Sequence, residues 1–288
     1  MPTWLPPFVD HHVHLQLIDE ARLRGGGLAG VVDLGGNPTS IARAARGADR
    51  DAPYVRFAGA FLAAPDGYPL GRAWCPEGAV RELRSPADAG EAVAEQVAIG
   101  ASAIKVTLNS DAGPVPDRAA LAAVVDAARE HDVPVVAHVE GTGAAAVATD
   151  AGVDVLAHTP WTERLDDALV HEAAALGQRW ITTLDIHRHE ASQEVAIDNL
   201  ARYHAAGGRA LYGTDLGNGD LPLGVNSREI AAMVRAGLDR DAIVSALADP
   251  WPATLHPDGI ATRLTAPPPE TEEGLPAWLA AAEVGRRR

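Results

Sequence analysis

The amino-acid sequence predicts an α/β protein folded as a (β/α)8 TIM barrel, and three observations carry that prediction. Short apolar, β-branched runs alternate with Ala-rich amphipathic segments almost to the end of the chain. Eight such runs fit within 288 residues, a normal length for one barrel. No Gly-rich phosphate turn follows the first run, as an open doubly wound sheet would require.

Taken in order, residues 8–14, 30–34, 55–62, 103–108, 133–139, 153–158, 180–186 and 210–216 read as strands. Residues 86–99, 117–131, 142–151, 166–176 and 190–205 read as the intervening helices, and 227–236 follows the last strand. Near-continuous apolar strands separated by helices imply a parallel sheet covered on both faces. Gly25, Gly26 and Gly27 come after a helical stretch and read as a helix stop. No internal repeat is visible. After Ala261 the composition shifts: Pro267, Pro268 and Pro269, followed by residues 270–274, read as an extended, solvated linker. Residues 275–284 read as a short terminal helix and 286–288 as a frayed end. The division is therefore a barrel over 1–262 and a Pro/Glu-rich tail over 263–288 with no chemical role.

Composition sets the outer limits. Hydrophobic residues make up 47%, enough for one large core, but aromatics are only 5%, so Ala, Val and Leu must fill it. A formal charge of −15 argues against broad contact with nucleic acid or an anionic membrane. The single cysteine, Cys75, excludes an intrachain disulfide and a Cys-based zinc cluster. The first fifteen residues lack a basic segment and an apolar leader, and no stretch approaches the ~20 apolar residues of a membrane helix. The expectation is a soluble, cytoplasmic protein. Its oligomeric state, including a homo-oligomer, stays open.

The chemistry lies at the strand ends. The first strand closes on Asp10-His11-His12-Val13-His14, where alternation places Asp10, His12 and His14 on one face. Two imidazoles one period apart can bind a single cation, or can simply be a hydrogen-bonded polar pair. Lys105 interrupts the apolar run Ala103-Ile104-Lys105-Val106. A buried ammonium must lose its charge or find a partner. Carbamylation by carbon dioxide, which makes a metal-bridging carboxylate, is one escape; snorkelling to a surface acid is another. His138 and His158 end the fifth and sixth runs, and Asp215 ends the eighth. Each alone has an ordinary reading, as a satisfied core histidine or a helix cap. In a parallel barrel all six converge on one rim, and six independent accidents are a poor explanation.

These residues resemble the metal pattern of the amidohydrolase superfamily, and within it the imidazolonepropionase-like hydrolases and dipeptidases. Asp10–His14 matches the Asp-x-His-x-His opening, Lys105 the strand-four lysine, His138 and His158 the strand-five and strand-six histidines, and Asp215 the strand-eight aspartate. Residues 30–36 look like the family's second strand and turn, and Gly67-Tyr68-Pro69 like a segment after strand three. The resemblance runs from about residue 8 to 260. It implies two divalent cations, zinc by expectation. His12, His14 and Asp215 would hold the more buried one and His138 and His158 the more exposed one, with carbamylated Lys105 bridging. It further implies hydrolysis of an amide, cyclic amide or ester of a small molecule by metal-activated hydroxide, with Asp215 as the catalytic proton carrier.

Two features depart from the pattern. Most such relatives carry a β-sandwich built from both termini. This chain reads as beginning directly on strand one with no β-rich C-terminus, so a bare barrel is expected, as in phosphotriesterase-like lactonases. The 20-residue step from His138 to His158 instead resembles the imidazolonepropionase-like group. To the strand-seven residues Asp185-Ile186-His187-Arg188-His189 no counterpart in the family can be assigned.

Rim loops should choose the substrate. Tyr68, Arg72 and Trp74 follow strand three, Trp161 strand six, His187 and His189 strand seven, and Asn218 and Asp220 strand eight. Tyr68, Arg72, Trp161 and His187 are the substrate-contact candidates, with Arg72 able to clamp a carboxylate; ordinary surface roles for Arg72 and Arg188 remain open. His131, His171, His204 and His256 read as structural or solvated. Glu140, two residues past His138, keeps a deaminase open, although deaminase relatives space that acid by three and lack the strand-four lysine. A lactonase, a metal-dependent lyase or a non-catalytic binding barrel are further alternatives, and metal content separates the last from the others.

Overall fold

The apolar runs become the staves of a parallel barrel, reached through a short outer strand, β1 (Thr3–Leu5). The staves are β2 (Val9–Val13), β3 (Gly30–Asp33), β4 (Tyr54–Phe57) continued by β5 (Phe61–Ala63), β7 (Ile104–Asn109), β8 (Val135–Glu140), β9 (Val155–Leu156), β10 (Arg179–Ile181) and β11 (Arg209–Leu211). An additional parallel strand, β6 (Val80–Glu82), lies beside β5. This computed structural model describes residues 2–19, 23, 25–47, 53–253 and 258–287. His256 lies outside the described residues.

Parallel pairing runs from β2 through β3 to β4, and from β5 through β7, β8, β9 and β10 to β11. The ring closes where the chain past β11 meets β2. The His11 N–H donates to Tyr212 O (2.9 Å), Leu216 N–H to His12 O (3.2 Å) and His14 N–H to Leu216 O (2.8 Å). The sequence prediction of a TIM barrel therefore holds.

Around the staves stand α1 (Pro38–Ala45), α2 (Asp88–Ala98), α3 (Arg118–Glu130), α4 (Ala144–Asp150), α5 (Asp167–Ala175), α6 (Ala191–Ala205), α7 (Ser227–Arg235) and α8 (Arg240–Ala248). Several begin on side chains that satisfy first-turn amides: Asn37 caps Ser40 N, Asp117 caps Ala120 N and Asp239 caps Ala242 N. Small and branched residues fill the barrel interior, among them Val9, Val32, Val136, Val155, Ile181 and Leu211, joined by Trp251. A second apolar layer, including Leu62, Ile104, Val124, Leu156 and Leu200, lies between staves and helices. This is how a chain poor in aromatics builds its core.

The termini correct one expectation. The chain does not start directly on the first stave, nor is its tail a plain linker. β1 pairs antiparallel with β12 (Ile260–Leu264), which pairs with β13 (Glu283–Arg286). The result is a single three-stranded sheet, not a two-sheet sandwich, and it includes Arg286, the first of the residues expected to fray. Between β12 and β13 lies α9 (Leu275–Ala280), and Leu264, Leu275, Trp278 and Leu279 are buried. Those few apolar residues anchor a segment whose Pro/Glu composition disguised them.

The third stave is broken where the sequence predicts one continuous run. Gly59 adopts φ +80°, and a Cβ there would lie 2.4 Å from Gln96 Oε1. The close approach lets buried Gln96 of α2 accept the orphaned Ala60 N–H at 2.9 Å. Replacing Gln96 with Leu strands that amide in an apolar layer. We expect Gln96→Leu to lose about 1–3 kcal/mol of stability, read as a lowered urea midpoint at constant m-value. An unchanged midpoint would show that the break does not need this brace.

Candidate active site

Strand irregularity, not simple alternation, aims several of the polar side chains. Between Asp10 and Val13 the register of β2 slips against β3. Val9 faces the barrel interior and His12 faces the cavity, three residues apart, as a bulge allows. Asp10 does not line the cavity as its predicted face implied. Its buried carboxylate accepts His12 N–H (3.0 Å), Thr214 N–H (3.1 Å) and Thr214 Oγ1–H (2.6 Å), clamping the first stave to the eighth. Lys105 and His138 obey alternation: Lys105 lies two residues past interior Ala103, and His138 two past interior Val136. Strict alternation would turn His158 outward, since Ala157 is interior. β9 ends at Leu156, however, and the turn that follows brings His158 into the cluster. Asp215 holds φ +56°, a strained value for a non-glycine residue, immediately past the eighth stave.

All six sequence-predicted residues line one cavity of about 290 Å³. His12 Nε2 and His14 Nε2 each lie 3.2 Å from Asp215 Oδ1. The donor atoms of this trio fall within 4.8 Å of one another, a spacing one cation can span. The His12 and His158 rings are 4.7 Å apart, and those of His138 and His158 5.0 Å apart. The imidazoles are oriented from behind. His12 Nδ1 meets Ala157 O (2.9 Å), His14 Nδ1 meets Gly35 O (2.8 Å) and His158 Nδ1 meets Thr183 Oγ1 (2.9 Å). With Nδ1–H donating there, each Nε2 keeps a lone pair for a ligand. His138 is turned the other way: its Nε2 bonds Glu140 Oε2 (3.1 Å), which leaves Nδ1 as the coordinating atom.

Among the described residues, three buried atoms in this cluster have no hydrogen-bond partner: Lys105 Nζ, His12 Nε2 and Asp215 Oδ1. Buried polar atoms are rarely left so, and a divalent cation would satisfy the two acceptors. The residues present thus fit a metal centre. Electrostatics agree. Burial pulls His12, His138 and His158 below the usual imidazole range, so they are neutral and able to ligate. Burial also draws the Lys105 amine down to about 7, although Asp215 and Asp33 favour its charge. Burial would lower His14 as well and is the largest single influence, but the adjacent Asp215 carboxylate and Asp33 together outweigh it and raise the ring.

Two walls rise from the cluster. Tyr68 stacks on His138 (4.9 Å, 24°), with Trp74 and Phe61 beside it over His14. Thr107 Oγ1–H fixes this loop by donating to Tyr68 O (2.6 Å). Opposite, Trp161 and His187 pack ring against ring (4.6 Å). Asn218 lines the cavity and donates to Asp215 Oδ2 (3.0 Å). Arg72 does not line it: the side chain is exposed, and its guanidinium lies over the Tyr68 ring at 5.7 Å. His189 is likewise exposed, and Asp220 pairs outside with Arg188. His131 and His171 are exposed and His204 half-buried, away from the cluster.

Residues that sequence reading missed act from behind these walls. Asn199 of α6 accepts Leu165 N–H and donates to Pro160 O and Glu163 O, fixing the Trp161 loop. Glu229 of α7 accepts Leu184 N–H (3.0 Å) and Asp185 N–H (2.7 Å), fixing the turn that carries His187. Glu229 adjoins Ile230 on the buried face of α7; an acid on an apolar helix face was the available signal.

The amidohydrolase family pattern matches residues 3–249. No curated protein matches. Among solved structures, a Xaa-Pro dipeptidase with bound methionine is similar at TM-score 0.73 and 19% identity, covering 98% of this chain and 84% of that one. An A. niger ochratoxinase is similar at TM-score 0.77 and 18% identity, covering 98% and 82%. A molinate hydrolase is similar at TM-score 0.72 and 16% identity, covering 99% and 82%. At these identities the likeness shows the fold alone. No described helix is long and apolar enough to cross a membrane.

Glu229 carries a pH signature. Burial raises its carboxyl from 4.5 to about 7. Between those values the folded chain holds the extra proton, so its contribution is full below pH 4.5 and is lost as pH rises through about 7. Glu229→Gln, which never ionises, should therefore flatten stability against pH between 5 and 8. The difference from wild type should change by at most roughly 1.4 kcal/mol per pH unit. Parallel denaturation profiles for the two proteins would contradict it.

Proposed function

Since the chain belongs to the amidohydrolase family and is a hydrolase, we propose that it cleaves an amide, cyclic amide or ester of a small molecule with two divalent cations, zinc by preference. The observation that carries this reading is the convergence, in one cavity, of Lys105 Nζ, His12 Nε2 and Asp215 Oδ1, without partners among the described residues, beside the imidazoles of His14, His138 and His158. In this reading His12, His14 and Asp215 hold one cation, His138 and His158 the other, and carbamylated Lys105 bridges them. When bound, such cations lower the pKa of a water from about 15.7 to near 7 and polarise the carbonyl under attack.

The chain's own residues supply the rest. Lys105 is buried as a base of pKa about 7, so its amine is available to bond the carbon of carbon dioxide and release a proton. Asp215 presents Oδ1 to His12 and His14 while Asn218 steadies Oδ2, a placement suited to taking the water's proton and returning it to the leaving group. Glu140 is engaged by His138 and Asn109, which supports a role in holding His138 and weighs against a deaminase-type proton carrier. The aromatic rings of Phe61, Tyr68, Trp74 and Trp161 line the cavity beside this centre.

Metal analysis tests the reading directly. The purified, zinc-reconstituted chain should hold about two equivalents. Lys105→Ala should hold one or fewer, with partial recovery of turnover in added formate or propionate; full metal content and full activity in this variant would remove the bridging role. Asp215→Asn should retain metal yet lower kcat on activated esters and anilides by about a thousandfold. Undiminished kcat in that variant would exclude Asp215 as the proton carrier.

A further inference from the structure

The metal reading leaves His187 unused. It lies on the turn that follows β10, and its side chain is 8% exposed. Its Nε2 is buried without a partner among the described residues, and the residue lines the same cavity as the metal cluster. An unsatisfied nitrogen of this kind is costly, and a hydrogen-bonding ligand removes the cost. Its neighbour Trp161 meets His158 edge-on at 5.2 Å and His138 at 5.8 Å, so a group lying along the indole is next to the reacting centre.

The pair is held with unusual firmness. Besides Glu229, Asp185 at the base of the His187 turn accepts Asn226 Nδ2–H (2.8 Å) and Arg228 Nε–H (2.9 Å). The Trp161 loop hangs on Asn199. Buried polar anchors on two successive helices thus fix the indole and the imidazole in one arrangement before any substrate arrives. Such pre-organisation suits recognition of a rigid, flat group.

We propose that Trp161 and His187 form the substrate-selecting wall: a planar, unsaturated group next to the scissile bond lies against Trp161, and the amide or ester function hydrogen-bonds His187 Nε2. An amide offers both a carbonyl acceptor and an N–H donor, so it suits either imidazole tautomer. The substrate class is therefore aryl or otherwise planar acyl amides and esters. The proposal rests on the hydrolase reading for its biological meaning, but not for its test.

Binding is measured calorimetrically on the full, zinc-loaded chain with benzamide and cyclohexanecarboxamide, which share the amide and differ in planarity. Benzamide should bind about fivefold or more tightly, and Trp161→Leu should bring the two affinities together. His187→Phe keeps an aromatic ring but loses the nitrogen. It should weaken both amides about tenfold, retain the preference for benzamide and leave the zinc content unchanged. Equal affinity of the wild type for both amides, absent binding, or a His187→Phe variant that binds as well as wild type overturns the proposal. Zinc-dependent turnover of 4-nitrophenyl esters is scored separately, so loss of the hydrolase reading is visible apart from loss of this one.

Discussion

A lysine amine at the centre of a barrel, within reach of imidazoles and a carboxylate but bonded to none of them, sets the terms for the rest of the molecule. Burial makes its charge expensive, and the same burial keeps three of the surrounding imidazoles neutral. A core that only needed stability would place an aliphatic residue at Lys105, because an unsatisfied buried amine costs more than it returns. The fold bears that cost and then spends backbone carbonyls and a threonine hydroxyl on orienting the rings around it. Consistent local sacrifice around one point is the physical mark of a site.

The barrel and the six cavity residues were legible because each rests on a short-range rule. Parallel staves announce themselves as apolar runs, and a polar residue at the end of such a run stands out. Asp215 stands near the end of one such run, and Lys105 interrupts another. What stayed hidden depends on contacts between distant parts of the chain. The bulge in β2 turns Asp10 from a cavity residue into a clamp on Thr214, and nothing near Asp10 in sequence signals that partner. His158 reaches the cluster only because β9 is two residues long. Gln96 breaks the third stave from a helix that the pattern placed correctly but could not orient. Arg72 looked like a carboxylate clamp by residue type, and its exposure was set by the fold of its loop. The terminal sheet was missed because β1 and β12 are 3 and 5 residues long and gain meaning only by pairing across the whole chain.

Labour is divided between the two ends of each unit. Residues on the staves, such as Lys105 and His138, inherit the rigidity of a hydrogen-bonded ladder. Residues on the rim have no ladder, and here side chains from α6, α7 and β7 reach across to supply one. Asn199 does so for the Trp161 loop, Glu229 for the His187 turn and Thr107 for the Tyr68 loop. Each anchor is itself buried, so its hydrogen bonds are shielded from competing water.

That arrangement has a consequence for how the cavity works. A rim held by buried amide and carboxylate contacts resists large movement, since opening it would strand several polar groups at once. Selection must then come from the shape present before binding, a slot whose lining includes Tyr68 and Trp161, each packed on the His138 ring. A rigid slot rewards flat substrates because they fit without reordering it, and a puckered ring of equal mass would have to push a braced wall aside. The same braces that make the rim stiff therefore make its choice of substrate a matter of geometry more than of charge.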